Sequence, residues 1–195
     1  MKEELLLNDF LKNHNGYIKT SDFLNLNITK FSIKKFLKNN IIKKVSHGLY
    51  LDNSLIEDEY YIIQKRYPQA ILSYNTALFI LNLSNRAPYE IDITIPRDKK
   101  IRGNYKTHHV SMSFYDVGII EITSPYGNPI KIYDPERCIC DILKNENSVD
   151  LETRNRILDY YFKSEFENID KLLEYAEIFN ISEKVNTIIE IMMKW

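Results

Sequence analysis

Residues 20–51 read TSDFLNLNITKFSIKKFLKNNIIKKVSHGLYL, two short helical patterns separated by a turn and followed by an extended hairpin. Thr20 and Thr29 each precede a helical pattern as an N-cap, and Leu26-Asn27-Ile28 forms the turn between them. At about 100° per residue, Ile33, Phe36, Leu37 and Asn40 share one side of the second helix, while Phe31, Lys34, Lys35 and Lys38 share the other. One side packs and the other is cationic. Ile42-Lys43-Lys44-Val45, a turn at Ser46-His47-Gly48, and Leu49-Tyr50-Leu51 complete the unit, with Gly48 where a turn needs positive φ. Helix, turn, helix and hairpin in this order predict a winged helix-turn-helix.

Upstream, Leu5, Leu6, Phe10 and Leu11 seed a first helix that ends at Asn15-Gly16, and Tyr17-Ile18 forms a short extended link. Downstream, Asp52-Asn53-Ser54 reads as a linker, so the expected domains are 1–52 and 53–195. Helices are expected over Glu57–Tyr67 and Ser73–Leu81, with Pro68 and Asn85–Pro88 as breaks. Alternation from Tyr89 to Ile95 predicts a half-buried strand, with further strands near 107–115, 118–123 and 129–133 and a hairpin turn at Pro125–Asn128. Helices follow at 134–144, 151–162, 169–179 and 183–195, the last closing the core with Ile188, Ile191, Met192 and Trp195. The second domain is therefore expected to be α+β, a small, mostly antiparallel sheet with a helical tail.

Charge is unevenly spread. Residues 1–50 hold nine lysines and four acids, a net +5, whereas the whole chain carries −1. A basic N-terminal part is the footprint of a nucleic-acid module. The candidate DNA contacts are Thr20, Ser21, Lys30, Phe31, Ser32, Lys34, Lys35, Lys38, Lys43, Lys44 and His47. The lysines neutralise phosphates and release counterions, while Lys30, Phe31 and Ser32 lie in the helical turn that enters a major groove. A second basic patch, Arg97, Lys99, Lys100, Arg102 and Lys106, lies between two strands of the otherwise acidic second domain, where it is either solvated or bound to phosphates.

Motifs of catalysis are scarce. The chain has no G-x-S-x-G, H-E-x-x-H, P-loop or G-x-G-x-x-G. Glu90 and Asp92 share a strand face, as the metal carboxylates of a nucleotidyltransferase do, but the Gly-Ser turn of that chemistry is missing and they read as the solvent side of an edge strand. His108 and His109 point to opposite faces. Asp134, Glu136, Arg137 and Asp141 read as helix-start acids and an i,i+4 pair. Cys138 and Cys140 sit two apart on a helix, read as reduced core thiols rather than a metal pair. No cofactor, metal or enzymatic activity is expected. No apolar run approaches a membrane span and MKEELLL is too short and acidic for a signal peptide, so a cytoplasmic protein is expected.

Five segments in the same order carry a resemblance: Gly16-Tyr17-Ile18, His47-Gly48-Leu49-Tyr50, Glu59-Tyr60-Tyr61 with Arg66-Tyr67-Pro68, Ser73-Tyr74-Asn75-Thr76-Ala77-Leu78, and Tyr133 to Asp141. From about residue 4 to 190 the chain resembles the AbiE-type abortive-infection antitoxin family (AbiEi). The resemblance implies an antitoxin of a type IV toxin-antitoxin system, used in phage defence. Its N-terminal winged helix would repress its own operon at inverted repeats in double-stranded DNA. Its C-terminal domain would counter a nucleotidyltransferase-like toxin, without necessarily forming a stable complex with it. The chain departs from the family pattern at His47, where Arg is expected, at Tyr74 (His) and at Asn82 (Gly). Two alternatives are a general winged-helix regulator with a ligand-sensing or assembly domain and a degenerate nucleotidyltransferase.

Overall fold

The computed structural model describes residues 2–145, 148–164 and 167–193, which form two compact units. The first comprises the described residues up to Pro68 together with Thr123–Ile130, and the second takes in Gln69–Ile122 and the described residues from Lys131 onward. The chain is α+β, with one small antiparallel sheet and one mixed sheet.

In the first unit, α1 (Lys2–Asn13), β1 (Tyr17–Lys19), α2 (Thr20–Asn25), α3 (Lys30–Lys38), β2 (Ile42–Ser46), β3 (Leu49–Asp52) and α4 (Glu59–Arg66) follow in order. The sheet runs β1-β3-β2, both pairs antiparallel, with a register shift between Lys44 and Ser46. Leu7, Leu11, Ile18, Phe23, Ile28, Phe36 and Ile42 make its core. In α1 the buried side chains are Leu7 and Leu11, not Leu5 and Leu6, which are exposed. A run of three leucines lets the helix choose any of three faces, and the i,i+4 pair that meets Phe10 is the one that packs.

Five of the described helices end in a common way. Asn15, Asn27, Asn40, Asn82 and Asn180 all have φ between 50° and 59°, each just past a helix. At α3, Ile41 N–H donates to Phe36 O (2.9 Å) and Asn40 N–H to Leu37 O (3.2 Å), the two bonds that close a left-handed C-terminal cap. Asn40 is therefore an exposed cap residue, not part of the packing side of α3. Asn82 occupies the same position after the helix at 74–80 and supplies the conformation that a glycine gives elsewhere.

The first unit does not stop at the expected linker after Asp52. Asp58 is fully buried: its carboxylate accepts from Tyr61 N–H (3.1 Å), Asn128 Nδ2 (2.8 Å) and Ser124 Oγ, and its own N–H donates to Tyr17 Oη (3.0 Å). That network ties α4 and the 123–130 turn into the first unit.

The second unit contains β4 (Ile71–Leu72), α5 (Tyr74–Ile80), β5 (Ile91–Pro96), β6 (Tyr105–Val110), α6 (Met112–Tyr115), β7 (Ile119–Thr123), β8 (Pro129–Tyr133), α7 (Pro135–Lys144), α8 (Leu151–Phe162), α9 (Ile169–Ile178) and α10 (Ser182–Met192), except that Thr123 at the end of β7 and Pro129 and Ile130 at the start of β8 are counted in the first unit. The sheet order is β6-β5-β4-β8-β7. It is mixed rather than mostly antiparallel, because β5 pairs with β6 and β4 with β8 in parallel. Segment 97–104 joins the parallel pair β5 and β6 without a crossover helix, a connection that parallel strands seldom make. Trp195, expected to close the core, lies outside the described residues.

α7 is buried along most of its length, and Arg137 is its hub, with 0% of the residue exposed. Its Nε donates to Asp141 Oδ2 (3.0 Å), its Nη1 to the carbonyls of Phe114 and Val117, and the guanidinium lies over the rings of Tyr133 (4.1 Å) and Phe179 (4.4 Å). Burial raises the Asp141 carboxyl above its ordinary range while Arg137 pulls it down. Cys138 and Cys140 are free and buried, and burial pushes the Cys140 thiol up to about 12. Replacing Arg137 with Met strands the Asp141 charge and should cost about 3–5 kcal/mol in urea unfolding, with Asp141→Asn restoring part of the loss. A loss under about 1 kcal/mol would mean that the pair carries no weight in the fold.

Candidate nucleic-acid interface

α3 is held from three directions. Its inner side, Ile33, Phe36 and Leu37, packs against the core. At its start Thr29 is the N-cap, accepting from Ser32 N–H at 3.2 Å. Glu3 of α1 closes the same end, since its carboxylate accepts from Thr29 N–H (3.1 Å) and from Ser32 Oγ. These bonds, Ser32 first, hold the Glu3 carboxyl below its usual range. Lys30, Phe31, Lys34, Lys35 and Lys38 are exposed on the opposite side, Phe31 at 78%.

The expected contact residues separate into two groups. Lys30, Phe31, Lys34, Lys35, Lys38, Lys44 and His47 are exposed and, among the described residues, have no side-chain hydrogen bond or ion pair. Ser32 is occupied by Glu3 and Thr29. Lys43 turns to the other side of β2 from Lys44, where its Nζ donates to Leu55 O (2.9 Å) and pairs with Glu57 (3.4 Å). Thr20 is the first residue of α2, not its cap; Asp22 closes that helix by accepting from Lys19 N–H (2.8 Å). Thr20 instead joins the hairpin turn, its N–H (2.9 Å) and Oγ1 (3.4 Å) both donating to Gly48 O. Ser21 is exposed, its Oγ 3.4 Å from Asp22 Oδ1. Gly48 has φ +69°, as the turn requires.

The second basic patch is also divided. Arg97, Lys99, Lys100 and Arg102 are exposed, with Lys99 paired to Asp98 at 3.1 Å. Lys106 is drawn inward, 3.7 Å from Asp92 and 3.4 Å from Ser148 O.

Asp92 is not the solvent side of an edge strand. It is 1% exposed and bonds His108 Nε2 at 2.7 Å; β4 makes β5 an inner strand, and α5 packs on β5 there, Asp92 N–H donating to Thr76 Oγ1 (2.8 Å). His108 stacks on Tyr74 with ring centroids 3.8 Å apart, and Tyr74 itself holds φ +45°, a costly conformation for an aromatic residue. His109 is exposed on the other face. Among the described residues no three His, Cys, Asp or Glu side chains are grouped to hold a metal.

No protein-family model matches the chain, and no curated protein does. Among solved structures it is similar to the crystal structure of the RV2827C protein from Mycobacterium tuberculosis, with a TM-score of 0.57 at 9% identity over 95% of this chain and 79% of that one. At that identity the likeness is one of fold. The geometry defines an α+β protein that presents a lysine-bearing helix to solvent.

Glu3 supplies a pH test. Its folded-state pKa is lowered, so its stabilisation is complete above the ordinary value of 4.5 and is lost as pH falls through the folded value. Glu3→Gln should unfold more readily than the unsubstituted protein at neutral pH, with the two converging in acid. A constant gap from pH 7 to pH 3 would show that the carboxylate does not clamp α3.

Proposed function

We propose that this chain is a DNA-binding antitoxin that represses its own operon, in an AbiE-like type IV toxin-antitoxin system of phage defence. The first unit is a winged helix-turn-helix: α2 and α3 are the helix pair and β2–β3 the wing. The observation that carries this reading is the outward face of α3, where Lys34, Lys35 and Lys38 are exposed. A duplex laid along that face exchanges condensed counterions for ammonium groups, and Lys44 and His47 extend the interface onto the hairpin. Lys43 and Ser32 are left out because their polar atoms already have partners within the protein.

The second unit then counters a nucleotidyltransferase-like toxin, in the cytoplasm and without catalysis of its own. The five ordered sequence segments support this half of the proposal. The three lysines belong to repression and not to toxin control, so the two activities should separate. With Lys34, Lys35 and Lys38 changed together to Ala, binding to DNA from upstream of the gene should weaken at least tenfold at low salt. The slope of log K against log salt should flatten by roughly 0.9 for each phosphate that the variant no longer neutralises. The same variant should still rescue growth when co-expressed with the neighbouring toxin gene. Unchanged gel shifts would refute the DNA face, and failure to rescue by a folded variant would refute the separation.

A second reading, a general regulator whose second unit senses a ligand, is favoured by one feature. A cleft of about 660 Å³ in that unit is lined by Asn75, Arg86, Pro88, Tyr89, Ser148 and Thr153. A nucleotidyltransferase-like reading frame beside the gene supports the antitoxin, and an isolated gene supports the regulator.

A further inference from the structure

Phe31 is the most exposed aromatic side chain of the first unit, at 78%, and it stands amid a lysine surface. At about 100° per residue, Lys38 lies about 20° to one side of it, Lys35 about 40° to the other, and Lys34 about 60° away. Phe36 and Leu37, which anchor α3 in the core, point the opposite way, so no rotation of the helix can bury both. Among the described residues none of Lys30, Lys34, Lys35 and Lys38 has a side-chain ion pair or hydrogen bond. Phe31 therefore stays wet unless something apolar reaches it through a ring of cations.

The hydroxyls of the first turn of α3 are already spent. Thr29 Oγ1 accepts from Ser32 N–H and lies 3.1 Å from Ser32 Oγ, which donates to Glu3. Neither is free to question a base edge. Of the first-turn side chains, that leaves the Lys30 ammonium and the Phe31 ring. In the major groove the apolar group that distinguishes one base from the rest is the 5-methyl of thymine.

We propose, on the basis of the DNA-binding reading above, that Phe31 is a specificity residue that packs on a thymine methyl while the surrounding lysines hold phosphates. A second copy of this chain is the other occupant that an exposed phenyl ring suggests. It is disfavoured because it would bring Lys34, Lys35 and Lys38 of one copy against those of the other, and like charges brought together oppose association.

The test uses the DNA upstream of the gene, amplified once with dTTP and once with dUTP, so that the two products differ only in the 5-methyl groups. The full chain should bind the thymine fragment more tightly, by about fourfold for each methyl that a ring covers. Phe31→Ala should bind both fragments equally, at the weaker affinity, with an unchanged salt slope because no charge is removed. Since the ring is exposed, this substitution leaves the core intact.

Equal affinity of the unsubstituted protein for both fragments would overturn the thymine assignment and leave DNA binding standing. Persistence of the preference in Phe31→Ala would overturn it as well. A DNA-free dimer that the same substitution dissolves would assign the ring to self-association instead. Failure to bind either fragment at any salt concentration would remove the DNA-binding reading and this inference with it.

Discussion

Burial of Phe36 among Leu7, Leu11, Ile18 and Phe23 sets the rotation of α3, and that rotation sends Lys34, Lys35 and Lys38 outward. Sealing one such ring from water is worth about 1.5–3 kcal/mol, far more than any exposed lysine gains by choosing a different orientation. The two ends add precision, Glu3 and Thr29 at the first turn and the left-handed Asn40 at the last. The helix is thus held by groups that take no part in presenting charge, and its outer surface can change without disturbing the fold.

The second unit is organised differently. Its centre is a charge, Arg137, bonded through Nε to one carboxylate and through Nη1 to two carbonyls and enclosed by two aromatic rings. Removing one member leaves another unsatisfied in a dry interior, where desolvation outweighs any interaction that could replace it. Such a centre makes α7, β8 and the turn at Phe114–Val117 interdependent. Asp92, His108 and the strained Tyr74 form a smaller polar cluster, which borders the cleft through Asn75 and Ser148.

Local features were legible in the sequence and distant ones were not. The amphipathic period of α3, the Thr29 cap, the hairpin glycine and Asp134-Pro135 at the start of α7 are short-range signals, and each is found where it was expected. Leu7 was hidden in a run of equivalent leucines. β4 comprises only Ile71 and Leu72, too short to show alternation, yet it turns β5 into an inner strand, and α5, which follows it, packs on β5 at Asp92. Glu3 reaches Ser32, and Asp58 reaches Ser124 and Asn128, across separations that no local pattern encodes. For the same reason the first compact unit runs past Asp52 to Pro68. The repeated asparagine after a helix was a usable signal: with five glycines in the chain, Asn takes the left-handed cap position.

The proposed DNA contact is the outer side of α3 together with the hairpin. Amide chemical-shift changes during titration of the labelled protein with DNA from upstream of its gene test this directly. With DNA on that face they should concentrate at residues 30–38 and 44–47. Changes confined to 97–102, or none at DNA concentrations that saturate a gel shift, would contradict it.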